Sequence, residues 1–187
     1  MRRWDRIRNA VASGPVTRFP VTSDLSRQLR MVASMIRAGL PTRVYYVGHG
    51  GFDTHAGQPN SHGRLLEQFA SAMKAFQDEL VAMREDQRVL TLAFSEFGRR
   101  ARQNASNGTD HGAAGPMFLF GPMIRPGLLG DHPSLSNLDN NGDLVYSVDF
   151  RNIYATVLDQ WMGSDSKAVL GKSYRHTNVL DGRLVRG

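Results

Sequence analysis

The stretch Val89–Phe94 reads VLTLAF, and Ser95-Glu96-Phe97-Gly98-Arg99 follows it directly. An uncharged, largely apolar run of this length is typical of a strand that is covered on both faces of a sheet. The polar and glycine residues behind it indicate that the chain leaves the sheet there. The sequence therefore predicts a buried strand whose carboxyl end carries several chemically active side chains.

Two further runs predict strands of the same kind, Thr42–Val47 (TRVYYV) and Pro116–Phe120 (PMFLF). Apolar residues at helical spacing predict helices over residues 23–40, 60–84 and 149–163. Helices that alternate with buried strands favour an α/β fold in which a parallel sheet is covered by helices.

Length and composition limit the organisation of the chain. The 187 residues suffice for one domain of ordinary size, or for a large piece of a bigger one. The chain is 41% hydrophobic and 21% charged, which is typical of globular proteins. No apolar run approaches the ~18 residues of a membrane span. We expect an irregular lead-in over 1–22, an α/β domain over 23–163 and a C-terminal extension over 164–187.

The absence of cysteine excludes disulfides, thiol catalysis and zinc sites built on thiolates. A formal net charge of +6 favours weak affinity for anions. The arginines cluster around Arg2–Arg8 and Arg99–Arg102, but no known nucleic-acid-binding motif accompanies them. We therefore expect no specific nucleic-acid partner, and only binding that survives moderate salt would support one.

Three polar clusters carry the chemistry. Gly50–His55 (GGFDTH) follows the first predicted strand, Ser95–Arg99 (SEFGR) follows the second, and Gly108–Gly112 (GTDHG) lies in the loop before the third. Ligands of open α/β sheets bind at the carboxyl ends of the strands. Three carboxylates and two imidazoles can bind one or two divalent cations without cysteine. The predicted metal ligands are Asp53, His55, Glu96, Asp110 and His111.

Each of these residues also has a purely structural interpretation. Asp53 could cap a turn, Asp110 could form an Asx-turn, and Glu96 could pair with Arg99 on the surface. The histidines could be ordinary loop residues. Because all three clusters lie at or near predicted strand ends, we favour a metal site, with Arg99 binding an anionic substrate. No catalytic nucleophile is evident in the sequence.

The elements GFDTH, VLTLAFSEFGRR, GTDHG, PMFLFG and DFRNIYATVLDQW occur in an order and spacing that resembles the DUF1501 proteins. These bacterial proteins are placed near the alkaline phosphatase and sulfatase superfamily, and the resemblance covers about residues 20–163. It implies an alkaline-phosphatase-like parallel-sheet sandwich that hydrolyses phosphate or sulfate esters. It also implies a divalent metal ion, either zinc, manganese, calcium or iron.

Two departures from that family limit what the resemblance implies. Ser95-Glu96 stands where the superfamily carries an Asp-His pair, which puts a two-metal site in question. Family members are longer, with an N-terminal half that holds the nucleophile and often follows a twin-arginine export signal. We therefore expect the C-terminal metal-site half of a hydrolase, in need of its other half or of self-association. The resemblance implies an exported or periplasmic location only for the full-length protein, and the location of this chain stays open. The alternative is a non-catalytic module of the same fold that binds a partner or a surface glycan.

Overall fold

The computed structural model of the protein describes residues 3–12, 14–17, 19–20 and 23–182. The chain forms two compact units: Met1–Val89 with Ala105–Gly108, and Leu90–Asn104 with Thr109–Gly187. Helices and small sheets are both present, which confirms the α/β class in its broad sense. Among the described residues, no helix is both long enough and apolar enough to cross a membrane.

The first unit is built on helices. α1 spans Arg3–Ala12, α2 spans Asp24–Arg37, α3 spans Gln58–Ala82, and a short 3-10 turn covers Asp86–Arg88. The helix predicted over 23–40 is confirmed as α2, and the one predicted over 60–84 is confirmed as α3. The apolar stripes of α2 and α3 pack together and bury Leu25, Leu29, Val32, Ile36, Leu65, Met73, Phe76 and Leu80. Full burial of one such side chain contributes about 1.5–3 kcal/mol.

Part of the predicted irregular lead-in is helical. α1 lies within residues 1–22 and packs against α2. Its sequence RWDRIRNAVA is rich in arginine and lacks a clear apolar stripe. Periodicity therefore does not reveal this helix, because most helical stability in proteins comes from tertiary packing.

A buried carboxylate ties the chain after α1 to α3. Glu79 of α3 accepts hydrogen bonds from the backbone N–H groups of Val16 (2.5 Å) and Thr17 (2.7 Å), and from the Thr17 hydroxyl (2.6 Å). Glu79 is only 1% exposed. Burial raises the pKa of Glu79, but these hydrogen bonds and the Arg37 guanidinium together lower it further, so the net pKa is depressed. The charged form of the buried Glu79 carboxylate is therefore stabilised by the hydrogen bonds that it accepts.

Residues 42–47, predicted as a buried strand, do not join a sheet. Val44 and Tyr46 are 65% and 84% exposed. The next residues are held by a side chain: the Gln28 amide donates to the Gly48 carbonyl (2.9 Å) and accepts from the Gly48 N–H (3.0 Å). The run has the composition of a strand but no strand beside it among the described residues, so the prediction of a buried strand is wrong.

The second unit contains two small antiparallel sheets. Its strands are β1 (Thr91–Ala93), β2 (Gly98–Arg99), β3 (His111–Gly112) and β4 (Phe118–Phe120). β1 pairs with β4, with Leu92 opposite Leu119. β2 pairs with β3, with Arg99 opposite His111. The strands predicted at 89–94 and 116–120 therefore exist, although each is shorter than its apolar run.

The predicted parallel sheet is not formed, because both sheets in the described part of the chain are antiparallel pairs. Parallel neighbours require a crossover connection of a dozen or more residues, usually a helix. The chain between β1 and β4 contains the β2–β3 pair and loops but no helix. It therefore returns to β1 in the opposite direction. Buried apolar strands are compatible with either direction, so composition alone did not distinguish them.

The last helices complete the core of the second unit. α4 spans Phe150–Thr156, continues as a π-helical turn over Val157–Trp161, and is followed by α5 at Ser166–Leu170. Asp149 caps α4 by accepting a hydrogen bond from the Arg151 N–H (2.9 Å). The core consists of Met123, Ile153, Val179 and Leu180, with Leu92, Leu119 and Trp161 packed against it.

Residues 164–182 of the predicted C-terminal extension belong to this packing. The Asp181 N–H donates to the Met123 carbonyl (2.8 Å), next to the buried Leu180. His176 Nε2 lies 2.5 Å from a carboxylate oxygen of Asp159 on the π-helical turn, and the Ser166 hydroxyl donates to the same carboxylate (2.8 Å). The hydrogen bond from His176 is the main cause that lowers the pKa of Asp159. The segment is thus fastened by both apolar burial and polar contacts.

We predict that Glu79→Gln destabilises the first unit at neutral pH by about 1–3 kcal/mol, because a neutral amide cannot accept all of these hydrogen bonds as well. The folded-state pKa of Glu79 is lowered, so its stabilisation is present above the unfolded-state pKa and is lost as the pH falls through the folded-state pKa. Chemical denaturation followed by circular dichroism at several pH values measures this. The variant should lose less stability on acidification than the wild type.

The control is Asp78→Asn, which removes the neighbouring exposed carboxylate and its ion pair with Lys74. Exposed pairs contribute little, so its unfolding midpoint should stay close to that of the wild type. Equal midpoints for Glu79→Gln and Asp78→Asn at neutral pH would contradict the role assigned to Glu79.

Candidate metal centre

The loop before α3 carries the candidate ligands Asp53 and His55. The Thr54 N–H donates to the Phe52 carbonyl (2.8 Å), which closes a tight turn centred on Asp53. Thr54 is buried, whereas Asp53 and His55 are exposed on either side of it. Asp53 Oδ1 lies 2.9 Å from His55 Nε2. The anchored turn thus presents a carboxylate and an imidazole side by side at the surface.

Residues 105–108 pack against this loop as part of the first unit. The Gly57 N–H donates to the Ser106 carbonyl (3.0 Å), and the Gln58 N–H donates to the Asn107 carbonyl (2.8 Å). The first N–H groups of a helix have no partner within the helix. Here the N–H groups at the start of α3 donate to carbonyl groups of residues 105–108. These hydrogen bonds hold residues 105–108 against the end of the loop that carries Asp53 and His55.

Gly108 makes the closest backbone approach in this part of the structure. A Cβ atom at Gly108 would lie 2.2 Å from the carbonyl carbon and oxygen of His55. Optimal contact between such atoms is roughly 3.5–4.0 Å, so no side chain fits. The glycine of the GTDHG element therefore allows the backbone to lie directly on the residue that carries a candidate ligand.

His111, in β3, is oriented by an aromatic ring of its own unit. Its imidazole stacks on Phe97 with ring centroids 3.7 Å apart and planes 11° from parallel. The guanidinium carbon of Arg99 lies 4.9 Å from the centroid of the same ring, and Arg99 Nη1 donates to the Thr109 carbonyl (2.5 Å). Phe97 therefore contacts two predicted site residues, which are also opposite each other in the β2–β3 pair.

The β2–β3 pair depends on glycine in both strands. A Cβ atom at Gly98 would lie 1.8 Å from the Ala114 carbonyl oxygen, and one at Gly112 would lie 2.6 Å from the Arg99 carbonyl carbon. The SEFGR and GTDHG elements therefore contain glycines that let the two backbones approach closely. The close contact between these backbones stabilises the β2–β3 pair, which contains His111 and Arg99.

The other two predicted ligands are in different surroundings. Asp110 Oδ1 accepts a hydrogen bond from the Asn104 amide (3.2 Å), and the Asp110 carbonyl accepts one from the Arg100 N–H (3.1 Å). Asn104 therefore orients this carboxylate. Glu96 is exposed in the segment between β1 and β2. Metal ligation by these two residues stays a prediction.

In the first unit, Asp53 and His55 each offer one ligand atom, from an exposed carboxylate and an exposed imidazole. His111 carries the other exposed imidazole among the predicted ligands and belongs to the second unit. Carboxylate and imidazole donors are of the kind that zinc and other first-row divalent metals prefer.

Two residues that support these candidates were not singled out from the sequence. Phe97 lies in the SEFGR cluster but carries no polar group. Its position between Glu96 and Gly98, just after a predicted strand, is the only feature of the sequence that draws attention to it. Gly108 opens the GTDHG cluster, where glycine indicates a turn and does not by itself reveal the backbone it meets. The structure adds them as positioning residues.

His49 and His62 form an aromatic cluster with Phe52 in the first unit. His49 and His62 both meet the Phe52 ring edge to face, with centroid distances of 5.2 and 5.8 Å. His49 Nε2 lies 3.1 Å from the Leu65 carbonyl of α3. His62 Nδ1 is buried without a hydrogen-bond partner in the described part of the chain. These contacts hold the ligand loop against α3.

Comparison with known proteins identifies the family and leaves its biochemistry open. No curated protein and no solved structure matches the chain. The family model DUF1501, described as a protein of unknown function, matches residues 21–187. That match includes the ligand loop, the β2–β3 pair and the C-terminal helices described above. The chain therefore belongs to the DUF1501 family.

Proposed function

We propose that this chain binds a divalent metal ion through Asp53, His55 and His111 and thereby serves the hydrolysis of phosphate or sulfate esters. The observation that carries the proposal is the Asp53–His55 pair, in which Asp53 Oδ1 and His55 Nε2 are 2.9 Å apart. The loop that carries the pair is in close backbone contact with Gly108. The hydrolytic part of the proposal also rests on the resemblance to the alkaline phosphatase and sulfatase superfamily.

Chain connectivity supports His111 as the third ligand. Gly108 lies against the His55 backbone within the first unit. His111 follows three residues later, and three extended residues span at most about 10 Å. This short connection is the reason why His111, of the predicted ligands outside the first unit, is proposed as the third ligand.

The donor set fits zinc, manganese or iron better than calcium. Calcium takes six to eight oxygen ligands, whereas this group supplies two nitrogens and one carboxylate. Three protein ligands are the number found in catalytic zinc sites, where a further position is left for water or substrate. A metal bound there would polarise an ester oxygen and lower the pKa of a coordinated water.

Further residues of the second unit orient the candidate ligands or bind the anionic substrate. Phe97 keeps the His111 imidazole in one plane through the parallel stack. Arg99 places a guanidinium opposite His111 in the β2–β3 ladder, where a phosphate or sulfate group can be bound with charge assistance. Asn104 holds the Asp110 carboxylate by one hydrogen bond. No residue of the chain is assigned as a nucleophile, so attack by water is part of the proposal.

A second candidate function is a non-catalytic binding module. Its support is the long irregular stretch between β4 and α4, which exposes large apolar side chains at Leu128, Leu129, Leu135, Val145 and Tyr146. Long loops in compact proteins are commonly functional, and exposed apolar groups are typical of docking surfaces. This candidate and the hydrolase share the fold but differ in whether ester bonds are cleaved.

We predict that His55→Ala and Asp53→Asn each weaken zinc binding to the purified chain by about tenfold or more, which corresponds to about 1.4 kcal/mol. Isothermal titration calorimetry with zinc and manganese measures the affinity. The matched control is His132→Ala, because His132 is an exposed loop histidine whose ring contacts the neighbouring Pro133 carbonyl. Equal affinities in the wild type and both ligand variants would contradict the site.

Gly108→Ala is expected to weaken metal binding by about tenfold without removing a ligand, as is typical when residues that orient ligands are changed. The added methyl group would push residues 105–108 away from the His55 backbone. Gly63→Ala is the control, since a Cβ at Gly63 meets nothing within 4 Å. Both variants are titrated with zinc after circular dichroism has shown equal helix content. Wild-type affinity in Gly108→Ala would refute the steric role.

We expect slow, metal-dependent hydrolysis of aryl phosphates or aryl sulfates, with a raised KM in Arg99→Lys because lysine cannot form two parallel hydrogen bonds to the anion. Release of the phenolate, followed by absorbance, gives the rate. Turnover that persists after chelation, or in His55→Ala, would show that the activity does not come from this site. Metal binding without turnover would instead support the binding module.

A further inference from the structure

The sequence contains two Asn-Gly pairs, Asn107-Gly108 and Asn141-Gly142. In such a pair the backbone nitrogen of the glycine can attack the Cγ atom of the asparagine carboxamide, because glycine has no side chain to obstruct the approach. The N–Cγ bond forms, ammonia leaves, and a cyclic succinimide results. Water then opens the ring at either carbonyl and leaves aspartate or isoaspartate. The reaction requires only a backbone that can bring the two atoms together.

The backbone around Asn107 is held in place within the first unit. The Asn107 carbonyl accepts a hydrogen bond from the Gln58 N–H at the start of α3 (2.8 Å). Gly108 is buried, and a Cβ atom there would lie 2.2 Å from the carbonyl carbon and oxygen of His55. Ring closure requires rotation of the peptide group between residues 107 and 108, and that rotation would break both contacts. The fold therefore opposes succinimide formation at Asn107.

Asn141 lies at the tip of a hairpin in the second unit. Leu138 and Leu144 form an antiparallel bridge, and between them the Gly142 N–H donates to the Asp139 carbonyl (3.0 Å) and closes a β-turn. Gly142 has a φ of 78°, as is common for the last residue of a three-residue hairpin loop. Asn141 is exposed, and its carboxamide makes no hydrogen bond with any described residue. Only the turn itself has to open for the Gly142 nitrogen to reach Cγ.

We propose that Asn141 is a site of spontaneous deamidation in the folded chain, and that the fold protects Asn107 from the same reaction. Residue type does not separate the two sites, because both are Asn-Gly pairs. The structure separates them by the free energy of local opening, which is low at exposed loop tips and higher where buried contacts must break. The chemistry requires water alone as co-reactant and releases ammonia.

The modification acts on a buried ion pair at the base of the hairpin. Asp143 is only 9% exposed, and its Oδ1 atom lies 3.4 Å from Arg100 Nε. Asp139 Oδ1 accepts hydrogen bonds from the N–H groups of both Asn141 and Asp143 (2.8 Å each). Deamidation adds a carboxylate beside that of Asp139, and isoaspartate also lengthens the main chain by one methylene group. Because like charges repel and the longer chain changes the turn, the hairpin opens more readily after the reaction.

The test uses the full 187-residue chain, incubated at mildly alkaline pH and then mapped by mass spectrometry, with isoaspartate detected by enzymatic methylation. In the folded chain Asn141 should react at least about tenfold faster than Asn107, because its local opening breaks fewer contacts. In urea, where the fold holds neither pair, the two rates should become similar. The variant Asn141→Gln should lose the fast reaction, since the longer side chain closes its ring much more slowly, and should leave the rate at Asn107 unchanged.

Amide hydrogen exchange on the incubated chain gives a second readout. The modified chain should lose protection at Gly142 and Asp143, whereas Ile153 in α4 should exchange at an unchanged rate. Equal rates at the two pairs in the folded chain overturn the proposal, as does an Asn141 that stays intact in the folded chain while it reacts in urea. A difference in rate that persists in urea also overturns it, because the difference would then come from the local sequence and not from the fold.

Discussion

The contact between Gly108 and the His55 backbone is the constraint on which the candidate site depends. With a side-chain carbon at residue 108 only 2.2 Å from the His55 carbonyl, the two segments could not lie together. The hydrogen bonds from Gly57 and Gln58 to residues 106 and 107 hold the same approach from the helix side. Through it, the loop of Asp53 and His55 is tied to the chain that leads into β3 and His111. Glycine here has a steric role that no other residue can fill.

The long helices could be predicted from the sequence because their stabilisation is local and periodic. α2 and α3 bury one stripe each, and a stripe is visible in the residue order. α1 was missed because its packing against α2 leaves little trace in an arginine-rich sequence. The strands β1 and β4 were found as apolar runs, but their antiparallel pairing depends on the path of the chain between them. Thr42–Val47 shows the same limit, because a run suited to a strand forms one only where a partner strand exists.

For the candidate site, the sequence supplied candidate ligands and the structure supplied the contacts around them. Asp53, His55 and His111 were proposed from residue type and position alone, and their role as ligands stays a prediction. The stacking of His111 on Phe97 depends on the distance between the two rings beside the β2–β3 ladder, which cannot be inferred from a single sequence. Glu79 in the first unit is a second example. A carboxylate at a core-facing position of a helix is expected to be unfavourable from the sequence, and only the structure reveals the groups that donate hydrogen bonds to it. Polar residues are interpretable only together with their partners.

The first unit is discontinuous in sequence: the chain leaves it at Val89 and returns for Ala105–Gly108. During synthesis from the N-terminus, α2 and α3 can pack as soon as they emerge from the ribosome. The backbone around His55, however, cannot acquire its Gly108 contact until the chain beyond Val89 has also emerged and turned back. Because the entropic cost of closing a loop rises only with the logarithm of its length, the delay costs little in stability. It does fix the order of events: the ligand loop matures late in biosynthesis, after the helices that carry it.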